Sequence, residues 1–348
     1  MKTFLLRFRR CVECVLLPAG ILWSAGVAIW IWEFPVWKVA LWCAVLVSLL
    51  VMGIFCLRSR VSLWIVVIAV AVSFLLMTPE RQFAAEAWSV ECKKIAQVEH
   101  SGDGKIRISN IRDFKYQDVE RFDVRYTEMI CDVDMLESMD IVFSYWDDMV
   151  MVAHMLLCFN FRDGKRLAVS LEPRVPAGKR GGDCFLGIYR RYGKMILLGT
   201  PEDLLDLRTH YRGETLYSYR TVAEGENLKR IFLSVIRMAQ ALEKKAEFYN
   251  SLTDNCTTGL HHALKAGAAL DGGDIRMIFN GFYDKYLFEQ GFLARRPGES
   301  FGALKVRSYV PGISRGVYRC PIKIKPAAAS RGQSPVKFEN YGISVNRF

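Results

Sequence analysis

The sequence has few of the residues that serve as a general base or bind a metal ion. Only five of its 348 residues are histidine. Cys11 and Cys14 have the spacing of a metal or redox pair, but no second pair accompanies them. A glycine-rich loop of the phosphate-binding kind is also missing. We therefore expect no metal and no nucleotide cofactor, and the candidates for a catalytic base are few.

Polar residues are scarce in the N-terminal part of the chain, which contains three long apolar runs at 15–32, 39–57 and 61–77. A helix needs roughly 17–25 apolar residues to cross a bilayer. A cleaved signal peptide would have one shorter apolar core instead of three in succession. The runs predict three transmembrane helices, so residues 1–78 are interpreted as a membrane anchor.

Basic residues are unevenly distributed over the loops of this anchor. Four precede the first run and two lie between the second and third, whereas the loop between the first two runs has Lys38 beside Glu33. Positive residues mark the cytoplasmic side. The N-terminus is therefore predicted to be cytoplasmic, with residues 79–325 outside and a flexible tail at 326–348. The net charge of +11 partly reflects these loops and indicates no nucleic-acid partner; near a bilayer it favours anionic lipid.

The outer domain has the pattern of an α+β fold. Apolar residues spaced by three and four predict a helix over 225–248, and a second helix is expected to begin near Asp254. The domain has six cysteines, and an oxidising compartment permits disulfides whose connectivity the spacing does not fix. Alternation of apolar and polar residues predicts the strands of a mainly antiparallel sheet within 104–136, 138–146, 149–174, 187–200 and 213–221.

Cys256 is the candidate nucleophile among these cysteines. Asp254 is a good N-cap for the second helix, so the thiol lies in the first turn, where unpaired N–H groups and the helix dipole lower its pKa. The alternative is a small buried apolar residue. His261 and His262 follow closely but lie roughly 140° and 120° around the helix from the cysteine. The base must come from elsewhere in the chain, and His154 has the most informative setting.

One β-hairpin is predicted around the Asp163-Gly164 dipeptide. A two-residue turn pairs Arg162 with Lys165 and mixes apolar and polar side chains on each face. A three-residue loop with the glycine in the left-handed conformation pairs Phe161 with Lys165 instead, and it collects the large apolar side chains on one face. Because the hydrophobic pattern fixes strand register, we predict the three-residue loop.

This register sets His154 opposite Glu172, near enough for a hydrogen bond. A carboxylate on one ring nitrogen holds the tautomer in which the other nitrogen accepts a proton from a thiol. With Cys256, the pair supplies a nucleophile, a base and an orienting group; a surface ion pair is the alternative interpretation. Pro173 follows directly, and because proline lacks an N–H donor, the strand is expected to end there or to lie at a sheet edge.

Five blocks of the outer domain resemble a known family, the Lnb-type periplasmic domain of bacterial membrane proteins, in sequence and in order over roughly residues 90 to 270. The family is linked to N-acylation of lipoproteins and is similar to circularly permuted papain-like (NlpC-type) cysteine enzymes. The resemblance implies a permuted papain-like antiparallel sheet with helices, a periplasmic catalytic domain and an anchor in the bacterial inner membrane. The blocks are "ISNIRDFKYQ", "DMLESMDIVFSYW", "AHMLLCFNFRDGKRLAVSLEPR", "LLDLRTHYRGETLYSY" and "FYNSLTDNCTT".

The resemblance also implies residue roles. Lecithin retinol acyltransferase has a similar order of a histidine on a strand, a polar partner and a cysteine at a helix start, and a tyrosine seven residues before its cysteine is the oxyanion donor. By this resemblance His154 is the base, Glu172 the orienting group, Cys256 the nucleophile and Tyr249 the oxyanion donor. Three further residues in family blocks either bind a lipid phosphate or fix loops: Asn255, Arg208 and Arg212.

The reaction implied by the resemblance is an acyl transfer in the plane of the membrane. An acyl chain leaves a membrane phospholipid, forms a thioester with Cys256 and passes to an amine such as the N-terminus of a lipoprotein. Phospholipid and lipoprotein are then the expected partners. Two alternatives stay open at this point: a cysteine peptidase or amidase that acts on cell-wall peptide, and a membrane scaffold without enzymatic activity.

Overall fold

The structure, a computed structural model, describes most of the outer domain and parts of the N-terminal region. The described residues fall into two compact units. The predicted domain boundaries at 78 and 325 lie outside the described residues, so that division of the chain stays a prediction. The described ranges are 17–31, 88–100, 104–146, 149–178 and 184–311, with short pieces at 36–37, 39–40, 43–44, 47, 337–338 and 343–344.

The smaller unit comprises residues 1–87, 175–193 and 248–251. The described part of this unit includes α1 (Leu17–Gly26), which continues as a π-helix over Val27–Ile31, and α2 (Cys184–Ile188). Tyr189 packs against Val27, and its ring centroid lies 4.9 Å from that of Trp23. A Cβ added at Gly26 would come within 2.1 Å of the Tyr189 hydroxyl, so this close approach requires glycine.

The predicted transmembrane spans are covered only in small part. In the portion of the chain that the structure describes, no helix is long and apolar enough to cross a membrane. The first predicted span, 15–32, is described as α1 and the π-helix after it, whereas the third span, 61–77, lies wholly outside the described residues. The three-helix anchor therefore stays a prediction.

The larger unit comprises residues 88–174, 194–247 and 252–348. Within the described residues its main sheet has nine strands in the order β1-β2-β9-β8-β7-β6-β10-β11, with β5 also pairing with β2. The paired registers are antiparallel except for β2 with β9, as the sequence predicted. Among the described residues the strands are β1 (Gln97–His100), β2 (Lys105–Arg112), β3 (Lys115–Tyr116), β4 (Phe122–Asp123), β5 (Tyr126–Asp132), β6 (Leu136–Tyr145), β7 (Ala153–Phe161), β8 (Arg166–Arg174), β9 (Gly193–Gly199), β10 (Thr215–Arg220), β11 (Tyr309–Val310), β12 (Lys337–Phe338) and β13 (Ile343–Ser344).

The β7-β8 hairpin has the predicted three-residue loop. The Phe161 N–H donates to the Lys165 carbonyl at 3.0 Å, and Gly164 has a φ of +82°, the left-handed conformation that glycine adopts without steric cost. The register pairs Leu157 with Val169 and continues without a shift through the described ladder. Strand β8 ends at Arg174, one residue after Pro173, so the expected strand end is confirmed to within one residue.

Several helices of the larger unit pack against the main sheet. The longest confirms the predicted helix over 225–248, and its Phe232 meets Phe159 of β7 edge to face, with ring centroids 5.1 Å apart. The helix ends one turn earlier than predicted, because the next residues are extended and the Lys194 N–H donates to the Glu247 carbonyl at 2.7 Å. The helices are α3 (Pro201–Leu204), α4 (Gly225–Lys244), α5 (Cys256–Lys265), α6 (Tyr283–Glu289) and α7 (Phe301–Arg307).

Shorter helical turns connect these elements and bring polar side chains to the sheet. A π-helix over Leu207–Tyr211 precedes β10, and a 3₁₀ turn over Asn280–Phe282 leads directly into α6. Single π-turns occur often at functional sites. Both segments contribute a buried polar side chain to the site described next. The remaining 3₁₀ turns are Val90–Cys92, Val133–Met135 and Ile275–Met277.

Candidate active site

Cys256 is the first residue of α5, and a complete capping box holds this end of the helix. The Asn255 side chain accepts hydrogen bonds from the N–H groups of Thr257 and Thr258 at 2.8 and 2.9 Å, and the Thr258 hydroxyl accepts from the Asn255 N–H at 2.8 Å. The predicted N-cap, Asp254, is wrong by one residue. The predicted first-turn position of the thiol is confirmed, and the thiol is 4% exposed.

The displacement of the cap by one residue has a specific cause in the tertiary structure. Asp254 accepts a hydrogen bond from the Lys194 ammonium at 2.6 Å, so its carboxylate is engaged with β9. Asn255 is then the residue whose side-chain oxygen accepts from the N–H groups of the first turn. Both residue types are good N-caps, and the packing of Lys194 decides between them.

His154 of β7 contacts two partners on β8 through one ring nitrogen. Its Nε2 lies 2.6 Å from the Ser170 Oγ and 3.0 Å from the Glu172 Oε1. The Ser170 hydroxyl donates to the same carboxylate oxygen at 2.7 Å. The predicted pairing of His154 with Glu172 is present, and the imidazole is buried at 5% exposure, which contradicts the alternative of a surface ion pair.

These contacts fix the tautomer of the imidazole. A hydroxyl has one proton, and that of Ser170 is donated to Glu172. An ionised carboxylate only accepts. The His154 Nε2 must therefore carry the hydrogen, so the side-chain hydrogen bond between His154 and Cys256 is assigned to Nδ1.

The protonation of the cysteine and the histidine is coupled. Burial alone raises the pKa of the Cys256 thiol, but the charge of His154 and a side-chain hydrogen bond to it bring that pKa below its usual value. Burial alone lowers the pKa of His154, but the Glu172 carboxylate and the thiolate raise it to about 9. Both shifts favour a thiolate beside an imidazolium, and the two groups titrate as a pair.

Two other buried cysteines show the opposite behaviour. Burial raises the pKa of Cys131 and of Cys158 to about 12, and neither lies at a helix start. Both thiols are free, but they are protonated at neutral pH and poor nucleophiles. The lowered pKa of Cys256 is thus a property of its site and does not follow from burial.

Arg208 lies behind the carboxylate of the site. Its guanidinium donates to the Glu172 Oε1 at 2.9 Å and to the Glu214 Oε2 at 3.4 Å, and the Ser144 hydroxyl donates to that same Glu214 oxygen. Arg208 is 5% exposed. Burial alone raises the pKa of the Glu172 carboxyl, but His154 and Arg208 hold it well below its usual range. Negative and positive groups therefore alternate from the Cys256 thiolate through His154, Glu172 and Arg208 to Glu214.

The other predicted site residues have different surroundings. Arg212 is 42% exposed on its side chain and lies 3.6 Å from Glu214. The contacts of Asn255 are those of a helix cap, and those of Arg208 are internal ion pairs, which favours the loop-fixing alternative for both. Tyr249 belongs to the smaller unit, where its N–H donates to the Tyr192 carbonyl at 3.0 Å.

The prediction that His261 and His262 are packing or surface residues is confirmed. The Nδ1 of His261 is 2.6 Å from the Tyr283 hydroxyl, inside the core. Burial, Lys265 and His262 lower the pKa of His261 to about 4, so its ring is neutral. His262 is exposed at the surface.

Sequence reasoning did not identify two residues that contact the candidate catalytic pair. Ser170 bonds to the imidazole, as given above, and its position on the polar face of the hairpin was the available signal. Asn280 donates from Nδ2 to the Cys256 Sγ at 3.6 Å and accepts from the Ala153 N–H at 2.8 Å. No sequence pattern marks Asn280, because it reaches the site from a short irregular segment.

Across the described residues, no three His, Cys, Asp or Glu side chains converge as a metal site would require. The arrangement that does converge is a buried thiol, an imidazole and a carboxylate, which is the constellation of a thiol–imidazole site.

A comparison with protein families gives a match over this part of the chain. Residues 123–281 match the family model described as the Lnb N-terminal periplasmic domain. This match confirms the resemblance to Lnb-type periplasmic domains over that part of the chain. The match spans both His154 and Cys256. It supports a periplasmic domain in a membrane-associated protein. Comparisons with curated proteins and with solved structures gave no significant match.

Proposed function

We propose that the protein is a thiol acyltransferase that is anchored in the bacterial inner membrane and moves an acyl chain from phospholipid to an amine. The observation that carries the proposal is the convergence of Cys256, His154 and Glu172 from three separate elements, with the cysteine pKa lowered and the histidine pKa raised. The order of histidine before cysteine is that of circularly permuted papain-like enzymes, and the Lnb-type match supports the same reading.

In the first half of the reaction, the Cys256 thiolate attacks the carbonyl carbon of a phospholipid ester. A C–S bond forms and the C–O bond to the glycerol backbone breaks. The leaving alkoxide takes the proton from Nδ1 of His154, so a lysophospholipid departs and a thioester remains. Glu172 holds the imidazole through Nε2 during this transfer, as the carboxylate does in serine and cysteine triads.

In the second half, a neutral amine attacks the thioester carbonyl. A C–N bond forms, the C–S bond breaks, and the amine proton passes to Nδ1 of His154. The thiolate–imidazolium pair is thereby restored. The net change converts an ester and an amine into an amide and an alcohol, with no external oxidant or cofactor. A lipoprotein N-terminus is the proposed acceptor, since it lies in the same membrane plane as the lipid donor.

The location of the site favours a substrate in the membrane. The predicted anchor has its N-terminus in the cytoplasm, and the family match supports a periplasmic domain. A domain tethered in this way stays close to the bilayer surface, which raises the effective concentration of lipid substrates. The oxyanion role that the resemblance implies for Tyr249 stays a prediction.

A transfer assay tests the proposal. The full chain in detergent is incubated with acyl-labelled phospholipid and a lipopeptide that has a free N-terminal amine. We expect a labelled amide on the lipopeptide, with matching release of lysophospholipid. Cys256→Ser and His154→Gln should abolish the product. His262 is an exposed histidine on the helix that carries Cys256, and His262→Gln should still form the product.

The same site chemistry permits two other outcomes. If water accepts the acyl group or only wall peptides are cleaved, the protein is a hydrolase, because the same thiolate and imidazole serve a cysteine peptidase or amidase. If Cys256→Ser and His154→Gln complement a deletion strain as well as wild type does, the protein is a scaffold. Either result would replace the acyltransferase proposal.

A further inference from the structure

Asn280 is the side chain whose contacts the proposed mechanism leaves unused. It is buried at 6% exposure, and its amide lies between the start of β7 and the first residue of α5. Its Nδ2 is 3.6 Å from the Cys256 Sγ, and its Oδ1 is 2.8 Å from the Ala153 nitrogen. A buried amide therefore faces the nucleophilic sulfur directly.

The orientation of this amide is fixed by its second partner. The backbone N–H of Ala153 can only donate, so it must face the amide oxygen of Asn280. The amide NH₂ group is then the one that faces the sulfur. The opposite orientation would place an N–H against an N–H and an oxygen against the thiolate, which leaves two buried groups unsatisfied.

The segment that carries Asn280 is held tightly against the start of β7. The Gly281 N–H donates to the Met151 carbonyl at 3.0 Å, and the Tyr145 hydroxyl donates to the Gly281 carbonyl at 2.8 Å. A Cβ added at Gly281 would come within 2.0 Å of the Val150 carbonyl oxygen, so only glycine permits this approach. The donor is thus preorganised before any substrate binds.

A second donor is available beside it. Cys256 is the first residue of α5, and the first N–H groups of a helix have no acceptor within the helix. An oxyanion that forms on the carbon bonded to Sγ lies near both this N–H and the Asn280 amide. Preorganised N–H groups at such a position are the usual form of an oxyanion hole.

We infer that Asn280 donates a hydrogen bond from its side-chain amide to the oxyanion of the tetrahedral intermediate, together with the backbone N–H of Cys256. Asn280 is then a catalytic residue of the same site, and the inference rests on the proposed function in that it requires acyl transfer to the thiol. The family resemblance assigns an oxyanion donor to Tyr249. Asn280 is a further donor, and it lies in the larger unit.

Two rates measured on the full chain in detergent test this role. The first is acylation of Cys256 by a soluble nitrophenyl ester, which passes through an oxyanion. The second is alkylation of Cys256 by iodoacetamide, which forms no oxyanion. Removing one oxyanion donor lowers an acyl-transfer rate by roughly 10²–10³-fold. For Asn280→Ala we expect a loss of that order in acylation and a much smaller change in alkylation.

A second variant guards against a loss of folding. Asn280→Asp keeps the acceptor for the Ala153 N–H but replaces the NH₂ group by an oxygen. It should fold like wild type by thermal unfolding and still lose acylation. Tyr249→Phe, measured in parallel, shows how much of the acylation rate depends on the tyrosine hydroxyl.

Two outcomes overturn the inference. In the first, Asn280→Ala acylates like wild type. In the second, acylation and alkylation fall by the same factor, so that Asn280 acts only on the thiolate. Failure of the proposed function is seen separately: wild type that reacts with the nitrophenyl ester but not with phospholipid rejects the lipid donor and leaves the comparison of variants intact. Wild type that reacts with neither ester rejects both.

Discussion

The Nε2 of His154 and the Oε1 of Glu172 are 3.0 Å apart, across adjacent strands of one hairpin. This contact links the register of β7 and β8 to the chemistry of the thiol. The carboxylate stabilises the protonated imidazole, and the imidazolium stabilises the thiolate of Cys256. Substitution of any one of these three residues should therefore shift the pKa values of the other two.

The first prediction concerns the alkaline limit of acyl transfer. The imidazolium must donate a proton to the leaving group, and it is lost as the pH rises through the His154 pKa of about 9. Glu172 raises that pKa, so Glu172→Gln should move the alkaline limb to lower pH. The measurement is the pH profile of kcat/KM with a short-chain alkyl ester, because its alkoxide leaving group needs the proton.

A matched control for the first prediction lies on the same hairpin. Asp163 is an exposed carboxylate in the loop between β7 and β8, and Asp163→Asn should leave the alkaline limb where it is in wild type. If the alkaline limb of Glu172→Gln stayed at the wild-type pH, the Glu172 carboxylate would not be what raises the His154 pKa.

The second prediction concerns the reactivity of the cysteine. The charge of His154 and its hydrogen bond lower the pKa of Cys256, so His154→Gln should reduce the thiolate fraction at pH 7. Because each pKa unit corresponds to about a tenfold change in protonation, alkylation of Cys256 should slow by about tenfold for every unit by which the substitution raises the thiol pKa.

Peptide mapping after iodoacetamide treatment measures this effect. Cys131 and Cys158, whose pKa values burial raises to about 12, should stay unlabelled in the folded protein. His262→Gln is the control and should label like wild type. Equal labelling of Cys256 in His154→Gln and wild type would reject the ion pair.

The third prediction compares two arginines that differ in burial. Arg208 is buried between Glu172 and Glu214, and removing one partner of a buried charge pair costs about 3–5 kcal/mol. Arg208→Gln should therefore lower the apparent free energy of unfolding by that order. Arg212, which is half-exposed near the same Glu214, belongs to the class of surface pairs that contribute about 0–1 kcal/mol.

Urea denaturation of the full chain in detergent provides the measurement for both arginine variants. A small loss for Arg212→Gln and a large loss for Arg208→Gln is the expected pattern. If Glu214→Gln is combined with Arg208→Gln, part of the stability should return, because the uncompensated carboxylate is removed. Similar small losses for both arginines would show that the buried ion pairs of Arg208 stabilise the fold no more than a surface pair does.

The fourth prediction concerns the helix that presents the thiol. Asn255 caps α5 through two accepted hydrogen bonds, and loss of such a cap costs about 0.5–2 kcal/mol. Asn255→Ala should show that loss in thermal or chemical unfolding. Asn255→Ser retains a capping oxygen without adding charge, so it should be nearly as stable as wild type; equal losses in both would assign another role to this side chain.

The sequence was sufficient for the parts of the site that strand periodicity controls. The loop at Gly164 and the pairing of His154 with Glu172 follow from one hydrophobic pattern, since a slip of one residue would expose every core side chain. The end of α4 and the N-cap of α5 were misplaced because contacts of Lys194 with Glu247 and Asp254 determine them. Such contacts depend on tertiary packing, which local propensity does not record.

Arg208 and Asn280 mark the limit of sequence reasoning at this site. Arg208 was assigned either to lipid phosphate or to loop fixing, and only the positions of Glu172 and Glu214 in space show its internal contacts. Asn280 lies in a short 3₁₀ segment with no period to read, so its approach to the Cys256 sulfur is visible only in the folded chain.

The most direct test of the account is the detection of an acyl group on Cys256. Wild-type protein is incubated with phospholipid and no amine acceptor, and the intact mass is measured before and after hydroxylamine. The account predicts a mass increase of one acyl chain, located on Cys256, removed by hydroxylamine, and missing in Cys256→Ser and His154→Gln. An unmodified Cys256 after turnover conditions, or an acyl group at another residue that survives in Cys256→Ser, would contradict it.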